Sequence, residues 1–146
     1  MSKRTWTVLV AVGISAAVAV AVAAQVMGGC EECLHTDTGM CVPMKCHWTF
    51  RAVTLLEVVA AYSYAGLLTT GAKVARRWTS ASMIVAQAAT LYAIHTPYMG
   101  ICANPDMHCH LTARVCTVFA LVAVVAAAVT YAKADPDAAS LPKRGL

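Results

Sequence analysis

The side chains able to do chemistry fall into a few short stretches. They are Cys30-Glu31-Glu32-Cys33, Cys41-Val42-Pro43-Met44-Lys45-Cys46-His47, Met99-Gly100-Ile101-Cys102 and Met107-His108-Cys109-His110. Thiolate and thioether select Cu(I), and imidazole suits copper, zinc or haem iron. Thiols held in pairs also exchange disulfides. Two of the stretches repeat one pattern: the runs Met44–Arg51 and Met107–Arg114 both read Met-x-Cys-His-x-Thr-x-Arg and agree at five of eight positions. Met27-Gly-Gly-Cys30 and Met99-Gly-Ile-Cys102 agree again upstream.

Three chemistries compete for these residues. In the first, the two copies meet, and Met44, Cys46, His47, Met107, Cys109 and His110 form one mixed soft metal site, with copper or haem as candidate cofactors. In the second, Cys30, Cys33, Cys41, Cys46, Cys102 and Cys109 are disulfide-bonded in an oxidising compartment. Six cysteines allow 15 pairings, and a bridged cysteine is no longer a thiolate ligand. In the third, Cys30 and Cys33 are a redox pair, although Glu31 and Glu32 between them disfavour the thiolate. The layout of paired cysteines outside four spans resembles that of membrane enzymes that generate disulfides and pass the electrons to quinone. Covalent haem attachment needs Cys-x-x-Cys-His. Pro43 and Asp106 stand where the first Cys of that motif would be, so it is excluded at both places. No nucleophile–base–acid set, phosphate loop or ATPase motif accompanies these residues, so the leading reading is non-enzymatic.

The elements that must position these residues are apolar. AVILMFWYC residues make up 60% of the 146-residue chain and charged residues only 12%, which argues against disorder and against nucleic acid as a partner. Four apolar runs stand out, at about 5–27, 48–70, 78–100 and 112–132. A 23-residue run such as the first reaches about 34 Å as a helix, enough for a hydrocarbon core of about 30 Å. None alternates as a barrel strand would, and in lipid a backbone must satisfy its own hydrogen bonds. The first run exceeds the length of a signal-peptide core and is read as a retained span.

Basic residues fix the expected orientation. Lys3 and Arg4, then Lys73, Arg76 and Arg77, then Lys133, Lys143 and Arg144 place 8 of 11 on one side. By the positive-inside rule both termini are cytoplasmic. Six of seven Cys, all five His and five of seven Met then lie at the opposite end. Apolar packing gives no reason for such sorting. Residues 1–134 read as one membrane domain and 135–146 as a disordered cytoplasmic tail. The repeated motifs point to two tandem span–loop–span hairpins of the same orientation, related by an axis along the membrane normal. The expected fold is therefore all-α: a polytopic four-helix membrane bundle under a Cys/Met/His-rich extracytoplasmic cap.

A few polar residues interrupt this apolar chain. Glu57 falls near mid-bilayer, where a carboxylate is costly and is a functional candidate by default. The plainer account is a protonated Glu57 bonded to a neighbouring helix, with Gln87 at comparable depth. Arg51 and Arg114 each follow the motif His by four residues. They either snorkel to the interface or hold an anionic head group or a haem propionate. His95 precedes Thr96-Pro97, which should disturb the end of the third span, and it is read as a local hydrogen-bond partner.

The run Met44-Lys-Cys-His-Trp-Thr49, together with the second-loop Met107-x-Cys109, resembles the signature of a bacterial family of small four-span membrane proteins, domain of unknown function 4418. The resemblance covers most of the chain and carries over no catalytic residue. It implies a bacterial inner-membrane location and an accessory role beside the permease and ATPase components of a transporter. Two functions follow as expectations. The first is an accessory membrane component that binds a soft metal or haem, or assists a transport complex, through its outer loops. The second is a membrane thiol–disulfide oxidoreductase using Cys30 and Cys33. A structural subunit with a disulfide-stapled cap is the third reading.

Overall fold

The architecture was obtained as a computed structural model, which describes residues 3–28, 33–35, 37–69, 73–102 and 107–133. Four long helices are α1 (Lys3–Val26), α2 (Lys45–Thr69), α3 (Lys73–His95) and α4 (His108–Lys133). α1 packs against α2 and α4, and α3 packs against the same two, so the four form a ring in chain order. The all-α expectation has one addition. Two three-residue strands, β1 (Cys33–His35) and β2 (Cys41–Pro43), pair antiparallel between α1 and α2. Gly39, at φ 76°, lies in the turn between them.

Three helices, α1, α2 and α4, are long and apolar enough to cross a membrane. α3 is not in that set, because it carries Ser80, Gln87 and Thr90 on its buried face. Its other side exposes Val74, Trp78, Val85 and Tyr92. It also stops at His95, five residues before the apolar run ends. Pro97 has no N–H and disfavours helix in the residue before it. The chain therefore leaves α3 through Gly100, whose φ of 56° suits glycine and whose N–H bonds Ala93 O at 2.9 Å.

The repeated motifs were expected in loops and instead open helices. Met44 O accepts from His47 N at 3.0 Å, and Met107 O accepts from His110 N at the same distance. Each motif cysteine is thereby the second residue of its helix. The burial patterns run in parallel. Every buried position of α2, from Cys46 to Leu67, recurs in α4 63 residues later, from Cys109 to Thr130. Every buried position of α3 from Ser80 to Ile94 has a buried counterpart in α1 70 residues earlier, from Val10 to Ala24.

Candidate functional site

The sulfur-bearing side chains converge at the end of the bundle where α2 and α4 begin. Cys46, Cys109 and Cys116 are buried in one apolar cluster, and Met44, Cys102 and Met107 pack against it. Within it the Cys102 thiol lies 3.4 Å from Cys46 Sγ and 3.7 Å from Met44 Sδ. The two Cys sulfurs are not bonded to each other, since a disulfide would hold them at about 2.05 Å. Cys109 and Cys116 are free thiols, and Cys116 points at Val20 O, 3.8 Å away. Cys30 lies outside the described residues, and of Cys33 and Cys41 only the strand backbone is described, so the Cys30/Cys33 redox pair falls outside the described geometry.

Three imidazoles, those of His110, His47 and His95, meet partners other than the sulfurs. His110 Nε2 meets the Cys102 carbonyl at 2.9 Å, which holds the backbone that carries the Cys102 thiol. The His47 ring stands edge-on to Trp48 with centroids 5.5 Å apart. His95 Nε2 meets Thr117 Oγ1 at 3.0 Å, a local partner between α3 and α4. Among the described residues no group of three or more His, Cys, Asp or Glu is gathered closely enough to hold a metal ion. The grouping here is two thiols and the Met44 thioether. Of the six metal candidates, Met44 and Cys46 meet in one contact through Cys102, and Met107 and Cys109 share the surrounding cluster.

The sequence alone offers Cys102 only as a disulfide candidate. Its match to Cys30 in the Met-Gly-x-Cys run was the available signal for a larger role. Two threonines of the repeated motif were also missed. Thr49 Oγ1 donates to Gly100 O at 2.9 Å, and Thr112 Oγ1 donates to Met27 O at 2.8 Å. The first ties the start of α2 to the turn after α3, and the second ties the start of α4 to the residue after α1. These ties seat Cys102 over Cys46, because Gly100 is two residues from Cys102. Arg51 and Arg114 are exposed on the same end.

A second polar group lies halfway along the bundle. Glu57 is fully buried, with Gln87 Nε2 donating to one carboxylate oxygen at 2.8 Å and Thr90 Oγ1 to the other at 2.7 Å. Thr90 is one helical turn beyond Gln87 on the same face of α3, and that i, i+3 spacing was its signal in the sequence. Nearer the opposite end, Tyr64 donates to Ala123 O at 2.7 Å, and Ser80 and Thr130 hydroxyls meet at 3.2 Å. There Arg76 covers Trp6 and Arg77 covers Tyr131, each 4.8 Å from the ring centre.

A ring of long helices with apolar outer faces and polar groups turned inward defines an integral membrane protein. The chain belongs to the family described as Domain of unknown function (DUF4418), which matches residues 9–133. That span takes in all of α2, α3 and α4 and both sulfur-rich motifs. No curated protein and no solved structure matches the chain.

Proposed function

We propose that this chain is a bacterial inner-membrane accessory component that holds one soft metal ion, Cu(I) by class, on Met44, Cys46 and Cys102 at its extracytoplasmic end. The observation that carries this reading is the contact of three sulfurs from two separate stretches, at 3.4 and 3.7 Å. Three sulfurs around one ion at about 2.3 Å would stand about 4 Å apart, so an expansion of about half an ångström admits the metal. Thiolate with thioether is the donor set that selects Cu(I).

On this reading all four helices span the membrane, α3 included. Its polar side chains face the bundle and its apolar ones face outward, which supports a span that composition alone does not mark. The shared burial registers and the reciprocal Thr49 and Thr112 ties support two tandem hairpins about an axis along the membrane normal. The sulfur groups then cap the extracytoplasmic end, and the arginines of α3 lie in the cytoplasm with both termini. A transporter permease with its ATPase is the partner that fits an accessory protein of this size.

The test uses the full chain in detergent, with copper content measured against a chromophoric Cu(I) chelator. The wild type should carry one equivalent more than Cys46→Ala with Cys102→Ala, and Met44→Leu should weaken retention at least tenfold. Met107→Leu should have a smaller effect. Equal copper in wild type and the double cysteine variant refutes the site. The 3.4 Å separation favours a second reading. Loss of two electrons and two protons would close Cys46 and Cys102 into a disulfide, with a membrane quinone as acceptor. Alkylation mass shifts before and after incubation with quinone distinguish it: that reading requires both thiols to become protected.

A further inference from the structure

Glu57 is the thirteenth residue of the 25-residue α2, about 18 Å from either end. Each of its oxygens receives one hydrogen bond, from Gln87 and from Thr90. No basic side chain among the described residues is buried with it. The titratable groups that share its surroundings are Tyr64 on its own helix and Cys116 on α4. α1 and α3 present none from their buried faces. Gln87 Oε1 is also buried and has no hydrogen-bond partner. A carboxyl in the membrane interior without a counter-ion is expensive and calls for a reason.

Packing does not supply that reason, and the chain carries its own control. The positions equivalent to Glu57, Gln87 and Thr90 in the shared burial registers are Ala120, Ala17 and Val20. They lie on α4 and α1, which pack together as α2 and α3 do. One helix pair therefore closes with three apolar side chains where the other spends a carboxyl, an amide and a hydroxyl. The partner types are informative too. Lys or Arg could only donate and would hold Glu57 as an anion. An amide and a hydroxyl can each donate to a carboxylate or accept from a carboxylic acid. Gln87 donates through Nε2 here, and rotation of its amide would offer the unpartnered Oε1 to a carboxylic O–H.

We propose that Glu57, held between Gln87 and Thr90, is an intramembrane proton-binding site. The carboxylate takes up one proton from solvent and returns it; Gln87 turns its amide so that Oε1 accepts from the new carboxylic O–H, while Thr90 goes on donating to the other oxygen. This makes the protein responsive to proton concentration at mid-bundle, about 16 Å along α2 from Cys46, and it does not depend on the metal reading.

The test labels the full chain in lipid vesicles with dicyclohexylcarbodiimide, which attacks the protonated form of a carboxyl in apolar surroundings. Peptide mass spectrometry should find one adduct on Glu57. Its yield should fall at least fivefold between mildly acidic and mildly alkaline pH, and the adduct should be absent from Glu57→Gln. Gln87→Leu and Thr90→Val should each move the pH at which half the yield is lost. Infrared difference spectra between the two pH values provide a second reading that needs no reagent. They should show a carboxylic C=O band that disappears in Glu57→Gln. A merely structural Glu57 keeps one protonation state, so a yield or band that does not change with pH overturns the proposal. Labelling suppressed by sodium at constant pH also overturns it, because the ligand would then be a metal cation.

Discussion

Substituting Gly13 by Ala sets two opposing effects against each other. In an isolated helix the change favours folding by about 1 kcal/mol, since glycine is the poorer helix former. Here a Cβ on Gly13 would fall on the Tyr64 ring, against Cε1, with Cδ1 and Cζ at 2.7 Å. That ring is fully buried and cannot drift, because its hydroxyl donates to Ala123 O on α4 at 2.7 Å. Overpacking of this kind costs about 1–3 kcal/mol. A ring displaced far enough to relieve the clash loses a hydrogen bond worth about 0.5–1.5 kcal/mol. Packing therefore outweighs propensity, and the expected net effect is a destabilisation of about 2 kcal/mol. Equilibrium unfolding of the full chain in mixed micelles of mild and denaturing detergent measures it. The same substitution in a Tyr64→Ala background meets no ring and should stabilise by up to about 1 kcal/mol. The contact predicts opposite signs in the two backgrounds. If Gly13→Ala stabilises both, or the coupling is below about 0.5 kcal/mol, the knot of α1, α2 and α4 does not exist as described.

Thr49→Val and Thr112→Val each remove one tie to a helix-end carbonyl and should cost about 1 kcal/mol apiece in the same unfolding assay. Both should also expose the Cys102 or Cys109 region, read as faster alkylation. Ser80→Ala should cost only about 0.6 kcal/mol, the mean for interhelical hydrogen bonds in a membrane. Arg76→Gln removes the guanidinium from Trp6 and should lower stability by about 0.5–1 kcal/mol, with a change in tryptophan emission as the direct readout.

Much of the fold was legible because lipid reduces the choices. Long Ala- and Val-rich runs have no stable form there except helix, so α1, α2 and α4 follow from length and composition. Helix ends were less legible because local bonds decide them. Pro97 stops α3 early, and the carbonyls of Met44 and Met107 draw both sulfur motifs into helical turns. α3 does not follow from length and composition as a span, since the residues that make it polar are those it buries. The paired strands at Cys33–His35 and Cys41–Pro43 were missed because three residues carry too little pattern to read. In the site, residue types were legible and their partners were not. Adjacent Cys and His suggested a shared ligand set, yet His110 turns back to the Cys102 carbonyl, and the Cys102 thiol reaches the sulfurs of Met44 and Cys46.

The two helix pairs share a burial register and differ in chemistry, and that difference separates packing from function. At Cys46 and Cys109, and at Thr49 and Thr112, the chain keeps the same residue in both halves and gives it comparable burial. The threonines answer to geometry, since each closes a helix-end carbonyl, whereas Cys46 also meets the Cys102 thiol at 3.4 Å. At Tyr64 and Ala127 the halves exchange size, and the compensation is visible across the pair, with Gly13 facing the ring and Met83 sharing a cluster with the alanine. At Glu57 and Ala120 no such compensation exists. Charge, amide and hydroxyl are gathered on one side, and the side without them packs as closely. Packing requirements alone would let both halves use the cheaper residues. On the proposal that Glu57 binds a proton, Glu57→Gln should lose the pH-dependent labelling and the carboxylic band while detergent unfolding shows the fold intact.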